Sequence, residues 1–229
     1  MDPTKRGVIR QLSGILMQRI IGFVLFIAAA GTITDLRGNI YFAAYFTSAV
    51  VACAMMYHGH QQTVAARQQK HQNTAGWDKV LLPVLVFLLF FGIYLVAGFG
   101  VRFRWARLSD VWLYTGYGLF VASYVLSLWP VLENRHFEST VRLQEDRGHT
   151  VVSTGPYRFV RHPGYLGGIL GATGVALVFG TLPVAITAVV VIVIFVVRTH
   201  LEDSLLKREL NGYPAYANQV KYRLLPFVW

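Results

Sequence analysis

Cysteine and carboxylate side chains are scarce in this sequence. Its single cysteine, Cys53, excludes an intramolecular disulfide and a cysteine-based metal site. Asp and Glu number 11 against 21 Lys and Arg, and charged residues make up only 14% of the chain, whereas hydrophobic residues make up 55%. A soluble domain carries more charge than this, so the composition predicts an integral membrane protein.

The net charge of +10 would suggest a nucleic-acid partner if the chain were soluble. Here the basic residues flank long uncharged runs, where they set membrane topology and contact anionic headgroups. We therefore expect a membrane as partner and no nucleic acid. Three histidines, His58, His60 and His71, lack the nearby carboxylates or thiolates of a metal site, so no metal is expected.

Uncharged runs predict the first four membrane segments. Residues 80–101 and 111–132 each provide 22 residues without charge, enough to cross a hydrocarbon core of about 30 Å. Residues 20–34 are uncharged and reach the length of a span only if residues 12–20 complete the helix, with Arg19 extending its charged end towards the interface. With residues 40–57, which follow a turn-like stretch at 35–39, they are interpreted as a helical hairpin. For the first run the alternative is a cleaved signal peptide, because a basic start precedes a short apolar core.

The last apolar run, residues 165–197, is too long for one spanning helix, since 33 residues would extend about 50 Å. Gly180 and Pro183 predict a break that divides it into a short hairpin. We expect its second helix to continue through the polar residues 198–210. The fold class is thus an all-α integral membrane protein with about six transmembrane segments, the last two a short helical hairpin, followed by a cytoplasmic C-terminal helix and tail.

Two larger units and an orientation follow from the same pattern. Residues 1–132 would form N-terminal transmembrane helices, and residues 133–229 a catalytic core. All but four of the 21 basic residues fall on one side of this topology, the exceptions being Arg37, Arg102, Arg104 and Arg107. The positive-inside rule then places both termini and the core motif in the cytoplasm, in a bacterial-type inner membrane or an equivalent one.

The polar stretch that precedes the last hairpin holds the most unusual motif. Residues 133–161 mix both charge signs over a length that is often functional in loops. Within residues 154–168 lie two prolines, four glycines, two arginines, two tyrosines and a histidine. Prolines fix φ and restrict the preceding residue, so we expect a rigid, kinked approach to a helix that starts near Gly164.

This motif and the C-terminal region resemble the isoprenylcysteine carboxyl methyltransferase family. The resemblance rests on Gly-Pro-Tyr at 155–157, Arg-His-Pro-Gly-Tyr-Leu-Gly at 161–167, Arg-Thr-His-Leu-Glu-Asp at 198–203, Tyr213, Tyr216 and Arg-Leu-Leu-Pro at 223–226. It covers roughly the last 80 residues, and phospholipid N-methyltransferases share a looser version. It implies S-adenosylmethionine as methyl donor and a lipid-like or small hydrophobic acceptor.

The resemblance also implies a set of site residues. The candidate catalytic residues are Arg161, nearer the substrate head, and Arg198. In the family, a Glu-Glu pair contacts the cofactor; here its members are Glu202 and the shorter Asp203. The candidate cofactor-binding residues are Gly155, Pro156, Tyr157, His162, Pro163, Tyr165, Gly168, Glu202, Asp203, Tyr213 and Tyr216.

Several of these residues have plainer interpretations. On a helix, Arg198 and Glu202 lie one turn apart, as do Asp203 and Lys207, so both pairs fit surface ion pairs. Lone histidines such as His162 more often make structural hydrogen bonds. Glycines spaced four apart, at 164 and 168 and at 167 and 171, favour close helix packing. The aromatic C-terminal tail also fits an interfacial anchor.

The leading hypothesis is an integral membrane S-adenosylmethionine-dependent methyltransferase of isoprenylcysteine carboxyl methyltransferase type. A phospholipid N-methyltransferase or a small-thiol S-methyltransferase would use the same core. An NADPH-dependent membrane sterol-type reductase shares the Arg-His-Pro-x-Tyr element but typically has asparagine where Gly164 stands. A non-enzymatic transporter or scaffold would place charges within spans, and here they cluster at span ends.

Overall fold

The computed structural model describes residues 3–59 and 73–229, and within them the regular structure is helical, with no strand. Seven α-helices follow one another: α1 Pro3–Ala30, α2 Leu36–Gly59, α3 Asp78–Arg102, α4 Asp110–Glu133, α5 Pro163–Phe179, α6 Leu182–Glu209 and α7 Tyr213–Gln219. Short 3-10 turns occupy Glu145–Arg147 and Gly155–Arg158 in the segment between α4 and α5.

All six predicted apolar segments are helices. Five of them, α1 to α4 and α6, are long and apolar enough to cross a membrane, whereas α5 is a shorter apolar helix of 17 residues. The integral membrane character that we inferred from composition is therefore matched by helix length as well.

The predicted break in the last apolar run is confirmed. Helix α5 ends at Phe179, and Gly180 follows in the left-handed conformation with φ of 64°, which glycine adopts without steric cost. Pro183 lies in the first turn of α6, where a missing N–H is tolerated. As expected, α6 then continues without interruption to Glu209, so its last turns carry the polar residues of the motif.

The first hairpin differs from the prediction at its turn. Helix α1 already begins at Pro3 and ends at Ala30, four residues earlier than the uncharged run suggested. The cause of the earlier end is local, because Gly31 has a φ of 67° and stops the helix. Asp35 then accepts a 2.9 Å hydrogen bond from the N–H of Gly38, which caps α2 and starts it inside the expected turn.

One apolar core joins the N-terminal helices to the C-terminal hairpin. Phe26 of α1, Phe42 of α2 and Tyr94 of α3 are buried in the same cluster as Val178 of α5 and Phe195 of α6. This core holds the hairpin against α1 to α3 and so positions the polar end of α6. The division of the chain into units 1–132 and 133–229 stays a prediction.

Candidate active site

A cavity lies where the segment between α4 and α5 meets the start of α5, the end of α6 and α7. The space inside it is about 110 Å³, and the cavity is partly open to the surface. Eight of the predicted site residues line it: Tyr157, Arg161, His162, Pro163, Tyr165, Glu202, Tyr213 and Tyr216. The structure thus brings together most of the residues that the sequence motif singled out.

The predicted rigid approach to a helix forms one edge of this cavity. Helix α5 starts at Pro163, and the ring of His162 stacks on that of Tyr165, with centroids 5.8 Å apart and planes 9° from parallel. The N–H groups of Arg161 and His162 donate to the backbone carbonyls of Tyr222 and Arg223, at 3.0 and 2.9 Å. The C-terminal tail is therefore held against the motif by main-chain hydrogen bonds.

Glu202 presents a carboxylate to the cavity. The hydroxyl of Tyr165 donates to its Oε2 atom. Its Oε1 atom forms no hydrogen bond or ion pair with the part of the chain that the structure describes. Because an ionised carboxylate only accepts hydrogen bonds, this oxygen is available to a hydroxyl or ammonium group of a ligand.

Asp203, one residue further on, is fully buried and lies behind the cavity wall. The predicted ion pair with Lys207 is present at 3.0 Å. The carboxylate also accepts hydrogen bonds from Arg161 at 2.7 and 3.0 Å, Arg223 at 2.9 Å and the hydroxyl of Tyr213 at 3.0 Å. Asp203 is thus the centre of a charge cluster that joins α6 to the motif and the tail, and cofactor binding by it stays a prediction.

Arg198 does not pair with Glu202, as one interpretation of the helical spacing proposed. Its guanidinium instead forms a buried ion pair with Asp78 at the start of α3, with the closest N–O distance 2.7 Å. The other carboxylate oxygen of Asp78 accepts the N–H of Val141 at 2.8 Å. Arg198 lies outside the cavity wall, 5.2 Å from the ring centroid of Tyr165.

Sequence reasoning missed Asp78. The available signal was a carboxylate at the boundary of an apolar span, which is costly unless it is paired.

Three other predicted residues also lie outside the cavity wall. Pro156 is buried in the 3-10 turn, and Gly155 precedes it beside Glu133. A Cβ atom at Gly168 would come within 2.3 Å of the Phe195 ring, which makes close packing of α5 on α6 the reason for this glycine.

The far wall of the cavity consists of residues that the sequence did not single out. They come from the polar segment between α4 and α5 and include Asn134, His136, Phe137, Gln144 and His149. Arg142 holds this segment together, since its guanidinium binds Glu138 at 2.9 Å and Asp146 at 2.6 Å. In the sequence this stretch stood out only by its length and mixed charge, and these do not indicate which of its residues line a site.

Two histidines, His136 and His149, lie against each other in this wall, with ring centroids 4.8 Å apart and planes tilted by 40°. Burial, reinforced by Arg135, lowers the pKa of His136, so its ring is neutral near pH 7. Arg135 donates to the Nε2 atom of His136 at 3.0 Å, and the hydrogen of the neutral ring is therefore on Nδ1. This Nδ1–H group is buried without a hydrogen-bond partner in the described part of the chain.

The second histidine makes the fold sensitive to acid. Burial, together with the positive charges of Arg142 and Arg147 and the adjacent His136, lowers the pKa of His149 to about 4. In the unfolded chain the value is about 6.5, so between these two values the unfolded state binds more protons. We therefore expect stability to be constant above about pH 6.5 and to fall as the pH drops from there to about 4.

The measurement is thermal unfolding in detergent as a function of pH. His149→Gln, which cannot become protonated, should weaken the dependence over this interval, although His136 contributes with the same sign. An unaltered pH profile in His149→Gln would contradict this account of the acid sensitivity.

A group of three or more metal-binding side chains does not occur in the described part of the chain. His60 and His71, and the side chain of His58, lie outside that part.

Comparison with known proteins shows which proteins this sequence is similar to. A family model described as phospholipid methyltransferase matches residues 111–211, which contain the motif, α5 and α6. Two proteins named probable protein-S-isoprenylcysteine O-methyltransferase, from Oryza sativa subsp. indica and subsp. japonica, are each 23% identical over 183 residues. These alignments cover 77% of this chain and 94% of each relative. The predicted resemblance is therefore confirmed: this membrane chain is similar to the isoprenylcysteine and phospholipid methyltransferases.

Proposed function

We propose that the chain is an integral membrane methyltransferase that uses S-adenosylmethionine and acts on a lipid-like acceptor. The observation that carries the proposal is the cavity itself. It combines the aromatic rings of Tyr157, Tyr165, Tyr213 and Tyr216 with one carboxylate oxygen, on Glu202, that has no protein partner. The similarity to membrane methyltransferases supports the same reaction class.

The residues of the cavity fit the parts of S-adenosylmethionine. Aromatic rings suit an adenine base and a sulfonium cation. The free oxygen of Glu202 suits the ribose hydroxyls or the ammonium group. The unpartnered Nδ1–H of His136, on the opposite wall, suits the carboxylate of the methionyl end. When bound, this group supplies a methyl group on a positively charged sulfur.

The chain's own residues position the reacting groups and exclude water from the cavity. Tyr165 fixes the orientation of Glu202. The Nε and one Nη atom of Arg161 already donate hydrogen bonds to the carboxylate of Asp203. We infer that Arg161 is a positioning residue, although the sequence suggested a role nearer the substrate head. An acceptor that is already ionised, such as a carboxylate, needs no general base, so alignment and desolvation can supply much of the acceleration.

We further propose that the acceptor reaches the cavity from the membrane and the cofactor reaches it from the cytoplasm. The distribution of basic residues supports the cytoplasmic orientation of this end. A phospholipid amine is the second candidate acceptor, because the matching family model describes phospholipid methyltransferases.

The proposal predicts that Glu202→Gln weakens S-adenosylmethionine binding. The amide retains the size of the side chain but removes its charge, and a hydrogen bond to a charged group contributes about 1.5–3 kcal/mol. Isothermal titration calorimetry of the purified protein in detergent measures this change. The matched control is Glu209→Gln, an exposed carboxylate at the end of the same helix, which should bind with unaltered affinity.

The same titration separates the enzyme classes. Binding of NADPH in place of S-adenosylmethionine would overturn the proposal in favour of a reductase. Equal affinities in the unaltered protein and in Glu202→Gln would exclude Glu202 from the cofactor site.

A further inference from the structure

A second pocket, which we call the tail pocket, lies between the last turn of α6, α7 and the C-terminal tail of residues 220–229. The space inside it is about 480 Å³, and it opens to the surface. Its lining contains four basic residues and no carboxylate; the basic residues are Arg161, Lys207, Lys221 and Arg223. Arg161 also lines the candidate active site, so the two spaces adjoin there.

The positive charges of the tail pocket exceed the negative charges around it. Within the described residues, the one carboxylate that pairs with these cations is that of Asp203, which binds all of them except Lys221. Lys221 forms no ion pair in the ranges 3–59 and 73–229. Even if a terminal carboxylate at Trp229 is counted, four positive charges face two negative ones. The pocket therefore favours an anion from outside the chain.

Arg223 presents oriented donors to such an anion. Its Nε atom donates to Asp203 at 2.9 Å, and its guanidinium carbon lies 4.8 Å from the ring centroid of Trp229. These two contacts hold the guanidinium in place, whereas its Nη atoms form no hydrogen bond with the part of the chain that the structure describes. A guanidinium that is already held loses little freedom when it binds a ligand.

The packing of the tail places this pocket beside the ends of two apolar helices. Leu224 is buried with Val160 and Leu166, and the side chains of Leu126 and Leu170 pack against the same cluster. Leu126 lies seven residues before the end of α4, which corresponds to about 10 Å along the helix. Since α4 is long and apolar enough to cross a membrane, the tail lies at the depth of the membrane interface.

The tail also exposes large apolar side chains next to its charges. Leu225 is exposed, and the accessible fractions of Phe227 and Val228 are 89% and 75%. Val228 lines the tail pocket itself. Apolar and aromatic residues interleaved with basic ones are typical of segments that contact lipid headgroups. A lipid surface would cover these side chains and at the same time bring phosphate groups to the pocket.

We propose that the tail pocket binds the phosphate group of a phospholipid with a net negative charge, in the leaflet on the side of the candidate active site. Phosphate oxygens fit the paired donors of Arg223 and the ammonium group of Lys221. A choline headgroup fits less well, because its ammonium adds a positive charge and the ring of Trp229 is already occupied by Arg223. The site is separate from the cofactor cavity, and the inference does not depend on methyl transfer.

The test is photolabelling in phosphatidylcholine nanodiscs with a phosphatidylglycerol that carries a diazirine close to its glycerol backbone. A phosphatidylcholine with the same diazirine is the reference probe. The phosphatidylglycerol probe should label peptides from residues 217–229 about fivefold or more above the reference, the factor that one basic residue near anionic lipid contributes. Nanodiscs leave both membrane faces accessible, so the result is independent of the orientation of the chain.

Substitutions assign the preference to the pocket. The double variant Lys207→Gln with Lys221→Gln removes two exposed charges from its lining and should lower the ratio of the two probes to about twofold or less. The matched control is Arg158→Gln with Arg208→Gln, which removes the same net charge from exposed residues outside the lining. This control should retain the ratio of the unaltered protein.

Equal labelling by the two probes in the unaltered protein would overturn the proposal, and this comparison decides the matter even if the double variant fails to assemble. A ratio that survives the loss of both lysines, or that falls equally in the control, would overturn it too. Inorganic phosphate and a soluble polyglutamate peptide, each at constant ionic strength, should not displace the label. Displacement by either would assign the pocket to a soluble anion or to an acidic protein segment instead of a lipid.

Discussion

Asp203→Asn is expected to destabilise the protein by about 3–5 kcal/mol, since removing one partner of a buried ion pair leaves the other charge uncompensated. Asp203 has no exposed surface and binds two arginines, a lysine and the hydroxyl of Tyr213. Arg161, its closest partner, is almost fully buried, so loss of the carboxylate leaves its charge without a counter-ion. Denaturant-induced unfolding in detergent, followed by helical circular dichroism, measures the change.

The C-terminal tail should be released in the same variant. Arg161 donates to the carbonyls of Val220 and Lys221 at 2.7 and 2.8 Å, so a displaced guanidinium would free the tail. Limited proteolysis should therefore cut after residue 217 faster in Asp203→Asn.

Lys207→Gln is the control for this experiment. It removes a partly exposed partner of the same carboxylate and should cost less than about 1 kcal/mol. If Asp203→Asn were no more destabilising than Lys207→Gln, the charge cluster would not stabilise the fold.

The apolar segments were predictable from sequence because each depends on a local property. An uncharged run of 22 residues and a glycine-proline turn are sufficient to specify α3, α4 and the break between α5 and α6. The start of α2 was not predictable from hydropathy, since it is set by one hydrogen bond from Gly38 to Asp35. The π-helical turn in α3, at Leu88–Gly92, corresponds to no pattern that the sequence analysis used.

The candidate site was predictable on one side only. A dense motif identified the wall that contains His162, Tyr165 and Glu202, whereas the opposite wall with His136 and His149 lies in a polar loop whose residues look alike in sequence. Helical spacing also suggested the wrong partner for Arg198. Most residues in a helix have a neighbour four positions away, so this spacing alone does not identify an ion-pair partner. The actual partner of Arg198, Asp78, is 120 residues away in the chain.

The Asp78–Arg198 pair provides the second large expected effect. Asp78→Asn and Arg198→Met should each cost about 3–5 kcal/mol, because each leaves a buried charge without its counter-ion. The double variant should be less destabilised than the sum of the two, with a coupling energy of about 2–3 kcal/mol. Asparagine suits this cycle, since its side-chain oxygen can still accept the N–H of Val141.

A matched cycle on Arg37 and Asp110 tests whether burial is the cause. This pair has the same chemistry and also joins two helices, α2 and α4, but 73% of the Asp110 side chain is exposed. Its coupling energy should therefore stay below about 1 kcal/mol. Strictly additive effects of Asp78→Asn and Arg198→Met would mean that the two charges do not stabilise each other.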